Sequence, residues 1–363
     1  MSQPKVVIAP DSFKGTIGTA EAATAIAAGW SSVRPEDSVH LIPQADGGEG
    51  TLTAITAAVA EARWCDAGAV PGPDGRPVPG QWVELGPDVA AVELALVCGL
   101  PLLARPDPVG ASTHGLGVLL SAVTDTHPRR TLIALGGSAS TDGGAGMLAG
   151  LGARVLDAFG RTLPPGGGAL TQAARLDLSG LRRPPGELVV LADVTAPLLG
   201  PDGAAAVFGP QKGAGPAEVE LLERGLRRWA EVIGVDPQQP GLGAAGGTAY
   251  ALAAVLGAVV RPGAPFVAET TGLPAAIAGA TVVITGEGRV DATSHTGKVV
   301  GHVLALPGPH QRIVIAGEIE SVPSGCRAYS LRDLAGDRER AIADPQRWLA
   351  VAGALAATQL GEI

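Results

Sequence analysis

Short apolar runs recur along the chain, with Ala-rich segments of helical spacing between many of them. KVVIAP (5–10), SVHLIP (38–43), TLIAL (131–135), LVVLADV (188–194), TVVITG (281–286), RIVIAG (312–317) and RAYSL (327–331) are rich in β-branched residues and predict strands. Helical spacing predicts helices over about 19–31, 51–63 and 218–233. Asp344 ahead of Pro345 predicts a cap and first turn of another. Strands that are apolar throughout and alternate with helices predict parallel α/β layers. The rhythm is cleanest at the two ends of the chain. The middle opens with the Pro/Gly-rich stretch GAVPGPDGRPVPG (68–80) and is less regular. The expected architecture is therefore two α/β domains: a discontinuous one from residues 1–70 plus 276–363, and an inserted one over 71–275.

Composition sharpens this picture. Among 363 residues, 46% are hydrophobic but only 3% aromatic, so the cores must be aliphatic and Ala-rich. The 53 glycines and 30 prolines fall mostly between periodic segments and act as punctuation. A net charge of −9, with no basic stripe and no aromatic platform, argues against a nucleic-acid partner. Cys65, Cys98 and Cys326 are odd in number and widely spaced, and the chain enters a strand at once with no signal-peptide pattern, so a reduced cytoplasm is the expected location. The uncharged run GLGAAGGTAYALAAVLGAVV (241–260) reads as a buried helix and not a membrane span, because its first half is Gly-rich and it lacks the Leu, Ile and Phe of a span.

Six glycine-flanked stretches gather the charged and hydroxyl residues: APDSFKGT (9–16), ADGGEGT (45–51), GGSASTDGGAGM (136–147), DVTAPLLGPDGAA with FGPQKGA (193–214), GLGAAGG (241–247) and TGEGRVDATSHTGK (285–298). Several follow directly on a strand, where open α/β sheets bind ligands. Lysine usage points to the same places. Of 26 basic residues only Lys5, Lys14, Lys212 and Lys298 are lysines, and the last three each adjoin a glycine. A compact ammonium beside bare backbone suits a phosphate or carboxylate oxygen. The carboxylates of these stretches are Asp11, Asp46, Glu49, Asp142, Asp193, Glu287 and Asp291. Asp142 and Glu49 read equally well as helix caps. Asp193 meets no evident helix start, and Arg289 lies where it can pair with Glu287 or Asp291. Phosphoryl transfer needs carboxylates that hold Mg²⁺ and one that orients the attacking hydroxyl. The loop Gly136–Gly137–Ser138 to Asp142–Gly143 offers bare amides and short hydroxyls ahead of a helix, which suits an anion. GxxxxGK[ST] and GxSxG are absent, and GAGMLA (144–149) lacks both the preceding strand and the following acid of a dinucleotide site.

Taken together and in order, these stretches resemble the bacterial glycerate kinases of type I, from APDSFKGT to RIVIAG; ASTHGLGVLL (111–120) and GPQKGA are also similar to that family's pattern. The resemblance implies ATP-dependent phosphorylation of D-glycerate, usually at the 2-hydroxyl, with Mg²⁺. It also implies a Rossmann/flavodoxin-like discontinuous domain, a second α/β domain, and an active site in the cleft between them. Phosphorylation of the 3-hydroxyl or of another small hydroxy acid is the nearest alternative, and a non-catalytic binding protein a remoter one. The implied substrate residues are Ser12, Lys14, Asp46 and Arg289, with Lys14 or Arg289 for the carboxylate. Gly136, Gly137, Ser138, Asp142, Gly143, Lys212 and Lys298 are expected at ATP; Asp46, Asp193, Glu287 and Asp291 are the metal candidates. Asp193, Lys14 and Asp291 are the catalytic candidates, Asp193 orienting the hydroxyl. Two positions depart from the family, which usually has Asn at Thr141 and at Ala196. The oligomeric state stays open, a homodimer included.

Overall fold

The structure, a computed structural model, describes residues 3–295, 298–308, 311–322 and 324–361. Its chain divides into two compact units, one of residues 1–46, 53–60 and 263–363, the other of residues 47–52 and 61–262.

The first unit is built on a five-stranded sheet in the order Cys326–Ser330, Gln311–Ala316, Val282–Thr285, Lys5–Ile8, Ser38–Leu41. Every pairing is parallel, and Val6 sits opposite both Val282 and Val39. In chain order this is the 2-1-3-4-5 arrangement of flavodoxin-like folds, whose strand order reverses between the first and third strands. Both faces are covered, as the continuous apolar runs predicted. Val6, Ile8, Ile284 and Ile315 pack with Ile26, Trp30 and Leu349 on one face. Val7 and Val283 pack with Ala268, Leu273 and Ile277 on the other.

The second unit carries a six-stranded sheet in the order Val259–Arg261, Glu187–Leu191, Arg130–Ala134, Val89–Glu93, Pro77–Leu85, Ala62–Pro71. The first four strands run parallel and the last two antiparallel. Here the sequence expectation is corrected. The helix expected over 51–63 ends at Ala58, and the Pro/Gly-rich stretch is the turn and flanks of a hairpin, closed by Gly72 N donating to Arg76 O at 2.6 Å. Pro71 and Pro77 flank that turn, at the end of the sheet, where their missing N–H groups interrupt nothing. The boundary between the units accordingly lies near residue 60 rather than 70, and the return near 263 rather than 276.

The helix over Pro345–Thr358 begins as expected, with Asp344 accepting from Arg347 N at 3.3 Å. Residues 244–256 form a buried helix, kinked where Ala245, Gly246 and Gly247 have positive φ. Among the described residues no helix is long and apolar enough to cross a membrane.

The helices Thr19–Val33 and Pro345–Thr358 press backbone to backbone at two glycines. A Cβ on Gly29 would strike the Ala350 carbonyl, and one on Gly353 the Ile26 carbonyl. Gly29→Ala should therefore cost about 1–3 kcal/mol of stability through overpacking, read as a Tm several degrees lower. An unchanged Tm would contradict this packing.

Candidate active site

The first unit's site is assembled by sheet pairing that continues past the strand ends. Ala9 N donates to Ile284 O (2.7 Å), Asp11 N to Gly286 O (2.8 Å), Ile42 N to Ile8 O (2.9 Å) and Gln44 N to Pro10 O (2.8 Å). Three neighbouring chains thus run on in register and end in Asp46, Asp11 and Glu287, with Asp11 in the middle. Thr19 Oγ1 fastens two of them by donating to Pro10 O at 2.8 Å and Gln44 O at 3.0 Å. Glycine is needed at 286, where a Cβ would meet the Ile315 carbonyl. The place is the reversal point of the sheet, where such folds bind ligands.

A cavity of about 420 Å³ opens here, lined wholly from the first unit. Ser12, Lys14, Asp46, Glu287, Arg289, Asp291 and Lys298 all border it. Lys14 Nζ lies 3.4 Å from Asp46 Oδ2 on an exposed side chain. Its pKa is held above the usual lysine value, chiefly by Asp46. Arg289 pairs with Glu320, not with Glu287 or Asp291. Asp291 turns the chain by accepting from Ser294 N at 3.3 Å. Within the TGEGRVDATSHTGK stretch, Thr296 and Gly297 lie outside the described residues.

Two features of this site escaped the sequence reading. Asp11 was visible as a motif carboxylate but had no role. It is 4% exposed and accepts from Ser12 N at 2.6 Å. Burial first, then the neighbouring Asp46, push its pKa up to about 8. Burial also raises Glu287. The second feature is that Ser12 Oγ and Glu287 Oε1 are buried with no hydrogen-bond partner among the described residues. Unpaired buried polar atoms are costly, and in a ligand cavity they mark where a ligand's polar atoms belong.

The second unit's loop 136–147 divides in two. Its first part is a bare edge: the N–H groups of Gly136, Gly137 and Ser138 have no partner among the described residues, and Gly136 packs directly on Gly48. Its second part is structural, which corrects the expectation for Asp142 and Gly143. Asp142 is fully buried and accepts from Thr113 N and Oγ1 (each 2.8 Å), Gly144 N (3.1 Å) and Gly146 N (3.2 Å). Gly143 is buried as well: its N–H donates to Gly246 O (3.0 Å), its carbonyl accepts from Trp229 Nε1 (3.0 Å), and a Cβ there would strike the indole. The glycines of GLGAAGG thus serve backbone packing.

Lys212 is also turned inward. It is 2% exposed, and its ammonium donates to Ser138 Oγ (2.8 Å) and Ser140 O (2.5 Å) beneath the loop. Burial lowers its pKa to about 7 against the pull of Asp142. It supports the loop from behind. Glu49 is exposed and caps nothing; Glu93, which drew no attention in the sequence, instead accepts from Gly50 N (2.8 Å) and Leu52 N (3.0 Å). Burial pushes Glu93 up to about 7. Asp193 is half-buried just past the carboxyl end of Glu187–Leu191. At the two departures, Thr141 Oγ1 is buried without a partner among the described residues, whereas Ala196 works through its carbonyl, which accepts from Gly243 N at 2.9 Å.

The donor set fits Mg²⁺ only in company. Among the described residues no three His, Cys, Asp or Glu side chains converge as metal ligands. Asp46, Glu287 and Asp291 nevertheless border one cavity. Mg²⁺ commonly takes one or two carboxylates and completes its shell with water and phosphate oxygens. Asp193, the fourth expected metal residue, lies in the second unit.

The family model described as the glycerate kinase family matches residues 6–360. The chain belongs to that family. It is 40% identical to the glycerate 2-kinase of Escherichia coli K12 over 330 residues, covering 87% of this chain and 85% of that one. It is also 40% identical to the glycerate kinase of Bacillus subtilis 168, covering 81% and 79%. The crystal structure of a protein assigned as glycerate kinase 2 from Salmonella typhimurium LT2 superposes with a TM-score of 0.79 at 36% identity, covering 99% of each chain. As a glycerate kinase family member the chain is an enzyme of the phosphotransferase class.

Within this family member, Asp11 makes a prediction about pH. Its folded pKa lies above the unfolded value of 3.8, so the folded state holds the extra proton. That contribution to stability is complete below the unfolded pKa and is lost as pH rises through about 8. Asp11→Asn cannot lose it. Its stability relative to the parent should rise between pH 5 and pH 9 by at least about 1.4 kcal/mol, the worth of one pKa unit, as measured by thermal melting at both pH values. A difference independent of pH would contradict a proton held on Asp11.

Proposed function

We propose that the protein transfers the terminal phosphoryl group of MgATP to the 2-hydroxyl of D-glycerate, giving 2-phosphoglycerate. The observation that carries this reading is the reversal-point cavity, where lysines and carboxylates meet in a chain that aligns along most of its length with named glycerate kinases. D-Glycerate brings one carboxylate and two hydroxyls. Lys14 or Arg289 supplies the cation for the carboxylate, and Ser12 Oγ, buried and without a partner among the described residues, suits a substrate oxygen. With the carboxylate held, the 2-hydroxyl lies one carbon nearer the anchor than the 3-hydroxyl.

Phosphoryl transfer is mainly a matter of positioning and charge compensation. Asp46, Glu287 and Asp291 are the residues that would hold Mg²⁺, which when bound neutralises phosphate charge. Lys298 and the bare amides of Gly136, Gly137 and Ser138 are assigned to phosphate oxygens. Lys212 keeps that loop edge in place by tying Ser138 to Ser140. Asp193 is assigned to orient the attacking hydroxyl and take its proton. We assign the protein to the cytoplasm on the odd number and wide spacing of Cys65, Cys98 and Cys326.

Product formation coupled to enolase tests the reading directly. Signal from D-glycerate and MgATP without a phosphoglycerate mutase is expected; signal only after mutase is added would move the reaction to the 3-hydroxyl. In the same assay Asp193→Asn should lower kcat by roughly 10²–10⁴, the usual worth of a general base, with its melting curve unchanged. A near-normal kcat would remove Asp193 from the chemistry.

A further inference from the structure

The reversal-point cavity is chemically two-sided, and the functional reading above uses one side only. Part of its lining is charged, with Lys14, Asp46, Glu287 and Lys298. Another part is apolar, with Leu331, Ala341, Ile342 and Pro345, and Arg338 also borders the cavity. A three-carbon acid offers nothing to this second wall and would leave most of about 420 Å³ vacant. Cavities of this size accept ligands of drug-like dimensions, with apolar surface over most of the lining and a few placed polar groups. The ligand that fits both parts has a flat apolar part at one end and anionic oxygens at the other.

The wall is also open to a ligand. It is formed by two short helices and the start of a third, Leu331–Ala335, Arg338–Ala343 and Pro345–Thr358. Each is tied at its N-terminus by a side-chain cap: Ser330 Oγ to Asp333 N, Asp337 Oδ1 to Arg340 N at 2.8 Å, and Asp344 Oδ1 to Arg347 N. Leu331 is buried beneath, whereas Ile342 stays 48% exposed, a large aliphatic side chain turned to solvent at the rim of a charged site. Arg338 Nε stands 3.6 Å from Glu318 Oε1, which leaves a guanidinium plane at the cavity edge. Such a plane stacks on an aromatic ring.

We propose that Leu331, Ala341, Ile342 and Pro345 seat the purine base of the nucleotide whose phosphates point toward Lys298. The inference rests on the kinase reading and adds to it the end of the molecule where the base is recognised. It places base recognition on the C-terminal helices and phosphate recognition on the loops after the strands.

Calorimetry with ADP and with inorganic pyrophosphate, both in Mg²⁺ buffer, tests it on the full-length protein. Ile342 is a rim residue, so Ile342→Glu and the uncharged Ile342→Ser should both fold. Burial of an aliphatic side chain against a ligand is worth about 1.5–3 kcal/mol, so ADP should bind Ile342→Glu at least about tenfold more weakly. Ile342→Ser should also lose ADP affinity, while pyrophosphate, which lacks a base, should bind all three proteins alike. ADP affinity unchanged in both variants would overturn the assignment and leave the kinase reading standing. Pyrophosphate affinity falling in step with ADP would also overturn it, since the substituted position would then lie among the phosphates. If the parent protein bound no adenine nucleotide at all, the kinase reading itself would fail and take the inference with it.

Discussion

Parallel pairing that outlasts the strands is the constraint on which the first unit's chemistry depends. Amide-to-carbonyl bonds at Ala9, Asp11, Ile42 and Gln44 keep three neighbouring chains in register beyond Ile8, Leu41 and Thr285. Register decides which residues become neighbours. It sets Asp46, Asp11 and Glu287 side by side, and three carboxylates cannot sit together in a buried place without one of them keeping its proton. Asp11, the innermost and central one, is that residue. The lysines at 14 and 298 and the orphaned Ser12 hydroxyl are then arranged around a site that is short of positive charge and of hydrogen-bond partners. Such a site is suited to receive a cation together with an anion.

The second unit solves a different problem. Its loop after Arg130–Ala134 must expose amides while remaining ordered, and glycine alone would leave it floppy. Two buried charges supply the order. Asp142 gathers four donors from Thr113, Gly144 and Gly146, and Lys212 ties Ser138 to Ser140 from beneath. Each would be expensive in isolation, and each is nearly saturated by hydrogen bonds, which is the condition under which buried charge is tolerated. The amide edge at Gly136 and Gly137 is what remains without a partner among the described residues.

The parallel layers, the discontinuous first unit and the motif residues of the cavity (Ser12, Lys14, Asp46, Glu287, Arg289, Asp291 and Lys298) were legible in the sequence, because apolar strand runs and the glycine-flanked motifs after them are local patterns; the cavity's lining from Glu318 to Pro345 was not. What was not legible depends on register and depth. Nothing near Asp11 distinguishes it from Asp46 or Asp291; only the pairing of three distant segments makes it the central, buried one. Asp142 and Lys212 were read as ligand contacts because charge beside glycine looks the same whether it faces outward or inward. Glu93 ends an ordinary strand and acquires its task only when residues 50–52, some forty positions away, bring it their amides. The hairpin at 62–85 was hidden by prolines that are harmless in strands flanking a turn, and that error displaced the boundary between the units by about ten residues.

A crystal structure of the protein with D-glycerate, Mg²⁺ and a non-hydrolysable ATP analogue tests the central claim most directly. The account predicts glycerate density against Ser12 and Lys14 at the reversal point of the five-stranded sheet, with the Asp46–Asp11–Glu287 row beneath it. Well-ordered glycerate elsewhere, with that cavity holding only solvent, would contradict it.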